Sequence, residues 1–303
     1  MIHIYNNEPE DYSNEAKQIL SSIGYYHEYQ APPVVDVIIT RLKDQINSNF
    51  LDNYPDLKFL LTATTGLNHI DLSECANRGI EVISLRGEFD FLSTIAATAE
   101  HTIGLMLSIL RNIPQSFKDV QLNHWDRMKF KGHELKGRNL CILGLGRLGI
   151  QVAHIAEAFG MNIQCFDTKI SDQYPTTTNL HEALTNSDIV SIHLPYNTDT
   201  HHLLQFDSLM KTNPGAFIIN TSRGQIIKEY DLVQCLTNGH LAGVAVDVLE
   251  DEFNMSASPL LQYSLHNTNV LITPHVGGCT YESMEATEIF IAQQFAQVYS
   301  KAQ

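Results

Sequence analysis

The chain has 303 residues, of which 44% are hydrophobic and 17% charged, a composition typical of a folded protein long enough for two domains. Its 19 basic and 34 acidic residues give a formal net charge of −15. This charge repels phosphate backbones and argues against nucleic acid as a partner, and an anionic ligand would need a local basic group.

The N-terminal segment and the cysteines bear on the cellular compartment. The first residues, MIHIYNNEPEDYS, lack the basic and then apolar stretches of a signal peptide, and no run approaches the ~18 apolar residues of a membrane span. The five cysteines are odd in number and widely spaced, which is typical of reduced thiols. We therefore expect a cytoplasmic protein with no membrane partner. We also expect no regulatory module after Gln303.

The first hundred residues alternate short apolar runs with helical patterns. Strands are predicted at 2–5, 34–40, 58–64 and 80–85, and helices at 47–53 and 71–78, with Gly79 as a helix stop. Strands that alternate with helices indicate a parallel sheet with crossover helices.

A long helix is predicted at 93–111, followed by a polar connector that contains Trp125, and a second alternating series then begins. Its predicted strands are 139–143, 162–167, 189–194, 216–220, 243–248 and 270–273, and its predicted helices are 147–159, 180–185, 207–210 and 229–237. Six strands joined by helices are typical of a doubly wound nucleotide-binding domain. The tail at 281–300 has a helical pattern with an apolar face, and we hypothesise that it packs on the first domain.

A glycine-rich turn follows the first strand of the second series. Gly144 would allow the tight turn, Gly146 the close approach of a pyrophosphate, and Gly149 the packing of the following helix. Asp167 ends the next strand and lies 23 residues beyond Gly144, near the ~20 expected for an acid that binds the adenosine ribose. Such a carboxylate repels a 2′-phosphate, which favours NAD over NADP. A methyltransferase can also have this turn and acid, so the turn alone does not distinguish a dinucleotide-binding enzyme from a methyltransferase.

Three later strands each run into a polar cluster. Arg223, Glu252 and His275 follow the strands at 216–220, 243–248 and 270–273, and ligands of doubly wound sheets bind outside the carboxyl ends of the strands. A histidine can act as acid and base, a carboxylate can stabilise its imidazolium, and an arginine can hold a substrate carboxylate with paired donors. Each residue alone also fits a plainer role at the surface. Their joint placement favours a catalytic site.

Six segments together resemble the D-isomer-specific 2-hydroxyacid dehydrogenase family, and the resemblance spans nearly the whole chain. The segments are TATTGLNHIDL (62–72), ATAEHTIGLML (97–107), ELKGRNLCILGLGRLG (134–149), INTSRGQIIKEYDL (219–232), GVAVDVLEDE (243–252) and NVLITPHVGG (269–278). The resemblance implies an α/β fold of two doubly wound parallel-sheet domains. These are a flavodoxin-like substrate domain at 1–97 plus 279–303 and a Rossmann NAD-binding domain at 98–278. It also implies a homodimer.

The resemblance further implies hydride transfer between NAD and C2 of a small D-2-hydroxy acid or 2-keto acid, with no metal. Arg223 would bind the substrate, His275 would be the acid and base, and Glu252 would be its partner. The substrate carboxylate would bind to the backbone of Thr64, Thr65, Gly66 and Leu67. The cofactor would be bound by Gly144, Gly146, Gly149 and Gly277, by Arg147 and Leu148 at the pyrophosphate, by Asp167, Pro195 and Thr200 on the adenosine side, and by Thr221 and Asp247 near the nicotinamide.

The chain departs from the family pattern at three positions, of which Cys141, where glycine is common in the first strand, has no expected consequence. Phe253 stands where proline often follows the catalytic glutamate, and Thr62 stands where phosphoglycerate enzymes often place an arginine. Phosphoglycerate is therefore one possible substrate, and Arg41 and Arg127 are candidate contacts for its phosphate or carboxylate. The alternative function is an NAD(H)-sensing binding protein on the same scaffold. Formate dehydrogenase is disfavoured because those enzymes replace the Glu–His pair with Gln–His.

Overall fold

The structure, a computed structural model, describes residues 1–302. Their contacts divide the chain into two compact units, one formed by residues 1–95 together with the described residues from Cys279 onward, the other by residues 96–278. The first boundary lies two residues before the one expected from the sequence. Each unit is built on one parallel sheet, so the predicted α/β class with two parallel sheets is confirmed.

The first unit contains a five-stranded sheet in the order β2-β1-β3-β4-β5, which is the flavodoxin-like order. Its strands are β1 (Ile2–Asn6), β2 (Gly24–Glu28), β3 (Val37–Thr40), β4 (Phe59–Thr62) and β5 (Glu81–Ser84). Its helices before residue 96 are α1 (Asn14–Ile23), α2 (Ser48–Leu51), α3 (Leu72–Asn77) and α4 (Phe89–Ser93). The helix α1 and the strand β2 were not among the elements predicted from the sequence. Gly79 ends the turn after α3 with a φ of +71°, as predicted for a helix stop.

The C-terminal helix, Tyr281–Ala302, packs in this first unit. Its residues Ile291 and Phe295 are buried in one apolar cluster with Ile4 and Leu61 of the sheet. The helix is also held by polar contacts of Glu288 that are described below. A segment that follows the second unit in the sequence thus completes the core of the first.

The second unit contains a seven-stranded parallel sheet in the order β12-β11-β10-β9-β6-β7-β8. Its strands are β6 (Asn139–Leu143), β7 (Asn162–Phe166), β8 (Thr176–Thr177), β9 (Ile189–Ile192), β10 (Ala216–Asn220), β11 (Leu241–Val246) and β12 (Val270–Ile272). Its helices are α5 (Ala97–Leu110), α6 (Ile113–Gln121), α7 (Arg147–Ala158), α8 (Leu180–Leu184), α9 (Phe206–Leu209), α10 (Glu229–Thr237) and α11 (Pro259–Ser264). The order reverses at β6 and β9, which makes the carboxyl ends of these two strands the switch point of a Rossmann sheet.

Three expectations for this region were wrong in detail. The helix expected at 93–111 is shorter, because Ser93 is the last residue of α4 and α5 begins at Ala97; between them the Thr94 hydroxyl donates to the Phe91 carbonyl at 2.8 Å. The connector after it contains α6, which is separated from α5 by Asn112 in a left-handed conformation. The sheet also has a seventh strand, the two-residue β8.

Apolar side chains cover both faces of the second sheet. Along β6, Cys141 and Leu143 belong to one buried cluster, whereas Leu140 and Ile142 belong to the other. Burial on both faces explains why β6 reads as a continuous apolar run. Four of the five free cysteines are buried and Cys279 is exposed. Within residues 1–302, no helix combines the length and hydropathy that a membrane span requires.

Candidate active site

The glycine-rich turn joins β6 to α7 at the switch point of the second sheet. Gly144 has a φ of +94°, and a Cβ on Gly149 would lie 2.1 Å from the Gly144 carbonyl oxygen, so the fold itself requires both glycines. A Cβ on Gly146 would instead point into open space. Gly146 is the N-cap of α7, and the first amides of that helix are donors for an anion. The turn therefore leaves room for a pyrophosphate at its middle glycine.

Asp167 follows β7 directly and connects that strand end to the glycine turn. One carboxylate oxygen accepts a hydrogen bond from the Leu145 amide at 2.8 Å, and the other accepts one from the Lys169 amide at 3.1 Å. A carboxylate has about four lone-pair sites, so Asp167 can also accept bonds from ribose hydroxyls. Arg147 is the first residue of α7, and burial lowers the pKa of its guanidinium. Leu148 follows it in the half-buried first turn. These features fit a dinucleotide.

Pro195 and Thr200, both predicted on the adenosine side, lie in one turn after β9. The Thr200 hydroxyl donates to the Pro195 carbonyl at 2.7 Å, and the Asn197 amide donates to Thr200 Oγ1 at 2.9 Å. The turn follows the strand that neighbours β6, so it lies at the same edge of the sheet as Gly144. Its contact with a cofactor stays a prediction.

His275 and Glu252 form a close pair. His275 Nδ1 lies 2.8 Å from one carboxylate oxygen of Glu252 and 3.1 Å from the other. His275 follows β12 with a φ of +55°, and Glu252 begins a 3-10 turn after β11. The carboxylate favours a proton on Nδ1, so the proton that a substrate could exchange is the one on Nε2.

The loop that carries His275 is held by Asp247, whose carboxylate is buried. The Asp247 carboxylate contacts Thr273 Oγ1 at 2.6 Å, the amides of Val276 and Gly277 at 2.9 and 2.7 Å, and His101 Nε2 at 3.2 Å. Burial by itself would raise the pKa of Asp247, but these donors stabilise the carboxylate and hold the pKa below its usual value. Asp247 and Gly277, both predicted as cofactor contacts, thus bond to each other. His101 could not be predicted as a partner of Asp247, because only the fold brings α5 to the end of β11.

Arg223 completes this cluster from the end of β10. Burial lowers the pKa of its guanidinium and the negative charge of Glu252 opposes that change, while Nη1 donates to the Ser222 carbonyl at 2.6 Å. Its neighbour Gly224 packs on the base of the Glu252 loop, since a Cβ there would lie 2.0 Å from the Leu249 carbonyl. Thr221, which precedes Ser222, is buried and lies 2.7 Å from Thr102 Oγ1 of α5. The second unit therefore brings together the three predicted catalytic residues.

The predicted carboxylate loop, Thr64 to Leu67, follows β4 in the first unit. Thr64 Oγ1 lies 3.0 Å from the hydroxyl of the buried Thr62 and donates to the Gly66 carbonyl at 3.1 Å. These bonds fix the loop from inside and leave its backbone, between Thr65 and Leu67, as the candidate binding surface.

Arg41, a candidate anion contact in the same unit, has a structural partner. Its guanidinium pairs with Glu288 of the C-terminal helix and donates to the Glu10 carbonyl at 3.1 Å. Glu288 also accepts the Ser13 amide at 2.7 Å. Arg41 therefore holds the C-terminal helix against the end of β3. Arg127, the other candidate, is exposed in a 3-10 turn of the second unit.

Comparison with known proteins gives a consistent result. Residues 103–277 match the family model described as "D-isomer specific 2-hydroxyacid dehydrogenase, NAD binding domain". The chain is 34% identical over 260 residues to a glyoxylate reductase of Thermofilum pendens, covering 82% of this chain and 74% of that one. It is 32% identical over 267 residues to a D-3-phosphoglycerate dehydrogenase of Bacillus subtilis, covering 86% and 49%. The chain thus spans about half the length of that relative.

Among solved structures, the chain resembles a D-lactate dehydrogenase from Aquifex aeolicus complexed with NAD and lactic acid. The TM-score is 0.81 at 26% identity, with 98% of this chain and 94% of that chain covered. The likeness thus extends over both units.

Proposed function

The chain belongs to the D-isomer-specific 2-hydroxyacid dehydrogenase family, and on this premise we propose that it is an NAD-dependent oxidoreductase. It transfers a hydride between the nicotinamide and C2 of a D-2-hydroxy acid or the corresponding 2-keto acid. The observation that carries the proposal is the 2.8 Å contact between His275 and Glu252, whose charge acts on the half-buried Arg223. The matched family model supports NAD as the cofactor.

The roles of the side chains follow from this geometry. NAD, when bound, supplies the hydride chemistry. His275 takes the proton of the substrate hydroxyl on Nε2 during oxidation and returns it to the carbonyl oxygen during reduction. Glu252 stabilises the imidazolium that forms, and Arg223 binds the substrate carboxylate with a charge that does not depend on pH. The backbone of the Thr64–Leu67 loop, in the first unit, is a further proposed set of donors for a carboxylate.

An unphosphorylated short acid is the substrate class that we favour. Thr62 is buried without a charge, and the guanidinium of Arg41 pairs with Glu288, so neither position of the first unit offers a free cation for a phosphate. Glyoxylate and lactate, named for two of the similar proteins, belong to this class. Phosphoglycerate, named for another relative, is the second substrate candidate.

We also propose that the protein is a homodimer. Several large apolar side chains of α6 and the segment after it are exposed, among them Phe117 at 63% and Trp125 at 91%. Contiguous exposed apolar surface marks interaction sites, and a second copy of the chain can cover it. Light scattering of wild-type protein and of Trp125→Ser tests this, with a monomeric wild type as the contrary result.

The activity is tested by NADH oxidation with glyoxylate, pyruvate, hydroxypyruvate and 3-phosphohydroxypyruvate. Arg223→Lys should lose about ten-fold or more in kcat/KM, because an ammonium cannot replace a two-pronged contact. The exposed Arg111→Lys serves as the matched control. Tight NADH binding without turnover of any acid would contradict the proposal and indicate an NAD(H)-sensing protein instead.

A further inference from the structure

His202 combines an unusual backbone with a close contact to a carboxylate. Its φ is +48°, in the left-handed region that residues other than glycine seldom adopt. Its ring nitrogen Nε2 lies 2.5 Å from Glu250 Oε1. A residue that is kept in a sparsely populated conformation requires contacts that hold it there, and such residues cluster at functional sites.

The contacts of His202 join two segments that carry proposed catalytic residues. Its backbone amide donates to the Gln225 carbonyl at 2.9 Å, and the Gln225 side chain donates to the Glu250 carbonyl at 2.7 Å. Gln225 lies two residues after Arg223, and Glu250 lies two residues before Glu252. His202 thus contacts the segment of Arg223 through its backbone and the loop of Glu252 through its ring.

A buried carboxylate holds the same loop from the other side. Glu229, which is 3% exposed, accepts the Glu250 amide at 2.8 Å and the Ser258 hydroxyl at 2.6 Å. The Glu229 amide in turn donates to Glu250 Oε2 at 3.2 Å. Both ends of residues 250–258 are therefore fixed, and the two carboxylate oxygens of Glu250 lie between His202 and the start of α10.

We propose that His202 is a positioning residue that sets the geometry of Glu252 and Arg223 relative to His275. The inference rests on the proposed function for its catalytic consequence. Phe253, which is 54% exposed, stands after Glu252 and puts no proline ring into this loop. The rigidity of the loop at 250–258 therefore depends on side-chain contacts such as the one between His202 and Glu250. Because catalysis requires near-ideal placement of reacting groups, loosening this pair reduces turnover more than it reduces cofactor binding.

The test uses two substitutions of His202 and a control for backbone strain. His202→Gly keeps the left-handed backbone without steric cost and removes the contact with Glu250, whereas His202→Gln retains a side-chain N–H donor. Asn186→Gly relieves a similar positive φ of 62° elsewhere in the same unit. We expect His202→Gly to lower kcat by roughly ten-fold while the KM for NADH changes by less than about two-fold, and His202→Gln to restore kcat to within about three-fold of wild type.

A second readout does not depend on turnover. Hydrogen–deuterium exchange of the amides at 250–258 should accelerate in His202→Gly and stay at the wild-type rate in Asn186→Gly. Unchanged exchange, or an unchanged kcat in an active enzyme, would overturn the positioning role. An inactive wild-type protein would instead overturn the proposed function, and the exchange data would still decide whether His202 holds the loop.

Discussion

Mild acid is expected to destabilise the second unit through the protonation of His193. This residue follows β9, and its carbonyl lies against the glycine turn, 2.8 Å from the place of a Cβ on Gly144. Its ring nitrogen Nε2 lies 2.8 Å from Ser191 Oγ, while Nδ1 is buried and has no hydrogen-bond partner among residues 1–302. Protonation would put an N–H on both ring nitrogens, one of them without an acceptor. Burial accordingly lowers the pKa of His193 to about 4.

The magnitude follows from the difference between the folded and unfolded states. A histidine in an unfolded chain has a pKa of about 6.5, so between about pH 6.5 and 4 the unfolded state binds more protons than the folded state. The contribution to stability is present above this window and is lost as the pH falls through it. Since one pKa unit corresponds to 1.36 kcal/mol, the full loss is about 3 kcal/mol, and about 2 kcal/mol of it is reached at pH 5.

The assay is urea unfolding of wild-type protein and of His193→Gln at pH 7.5 and pH 5.0. Other titrating groups contribute equally to both proteins, so the free energy of unfolding should fall by about 2 kcal/mol less in the variant than in wild type. His181→Gln, an exposed position in α8, is the matched control and should behave as wild type. The same pH dependence in wild type and His193→Gln would refute the reasoning.

Three further predictions concern the cofactor turn and the His275 loop. Gly149→Ala should lower both Tm and NADH affinity, because its Cβ would meet the Gly144 carbonyl. Gly146→Ala should weaken NADH binding at an unchanged Tm, because its Cβ would point into open space. Fluorimetric melts and NADH titrations in which both variants lose Tm and affinity alike would contradict this. Asp167→Ser should reduce the preference for NADH over NADPH by about ten-fold in kcat/KM, since the charge that repels a 2′-phosphate is removed. Asp247→Asn should lower kcat. Because the pKa of Asp247 is depressed in the folded state, its carboxylate stabilises the protein above the usual carboxyl pKa of about 3.9. This stabilisation is lost as the pH falls through the folded-state pKa, so the Tm should fall less in the variant than in wild type between pH 6 and pH 3.

The sheets were largely predictable from the sequence because their strands are buried on both faces. β6 and β10 read as unbroken apolar runs, and the structure places them where the pattern predicts. β2 was missed because GYYHE has no such run and follows α1 without an intervening turn. α6 was missed for a related reason, since its apolar residues, such as Phe117, are exposed and interspersed with polar ones.

The site was predictable to the extent that topology alone places residues. Arg223, Glu252 and His275 each follow a strand of one parallel sheet, so the rule that ligands bind at the carboxyl edge predicts their common placement without coordinates. The contacts that fix their geometry were not predictable, because they join segments far apart in the chain. His101 reaches Asp247 from α5, and His202 reaches Glu250 from the turn after β9. No spacing rule connects such pairs.

The environments of Asp247 and Glu252 suit them to different tasks in the proposed reaction. Asp247 is 2% exposed, and the donors around it occupy both of its oxygens and depress its pKa, which favours its ionised form. The Glu252 side chain is 36% exposed, and both of its oxygens face His275 Nδ1. A carboxylate that must stabilise an imidazolium as it forms needs this direct contact, whereas one saturated by fixed donors can only hold the loop. In the proposed reaction, this geometry suits Glu252 to the electrostatic role, while the contacts of Asp247 fix the backbone of the His275 loop.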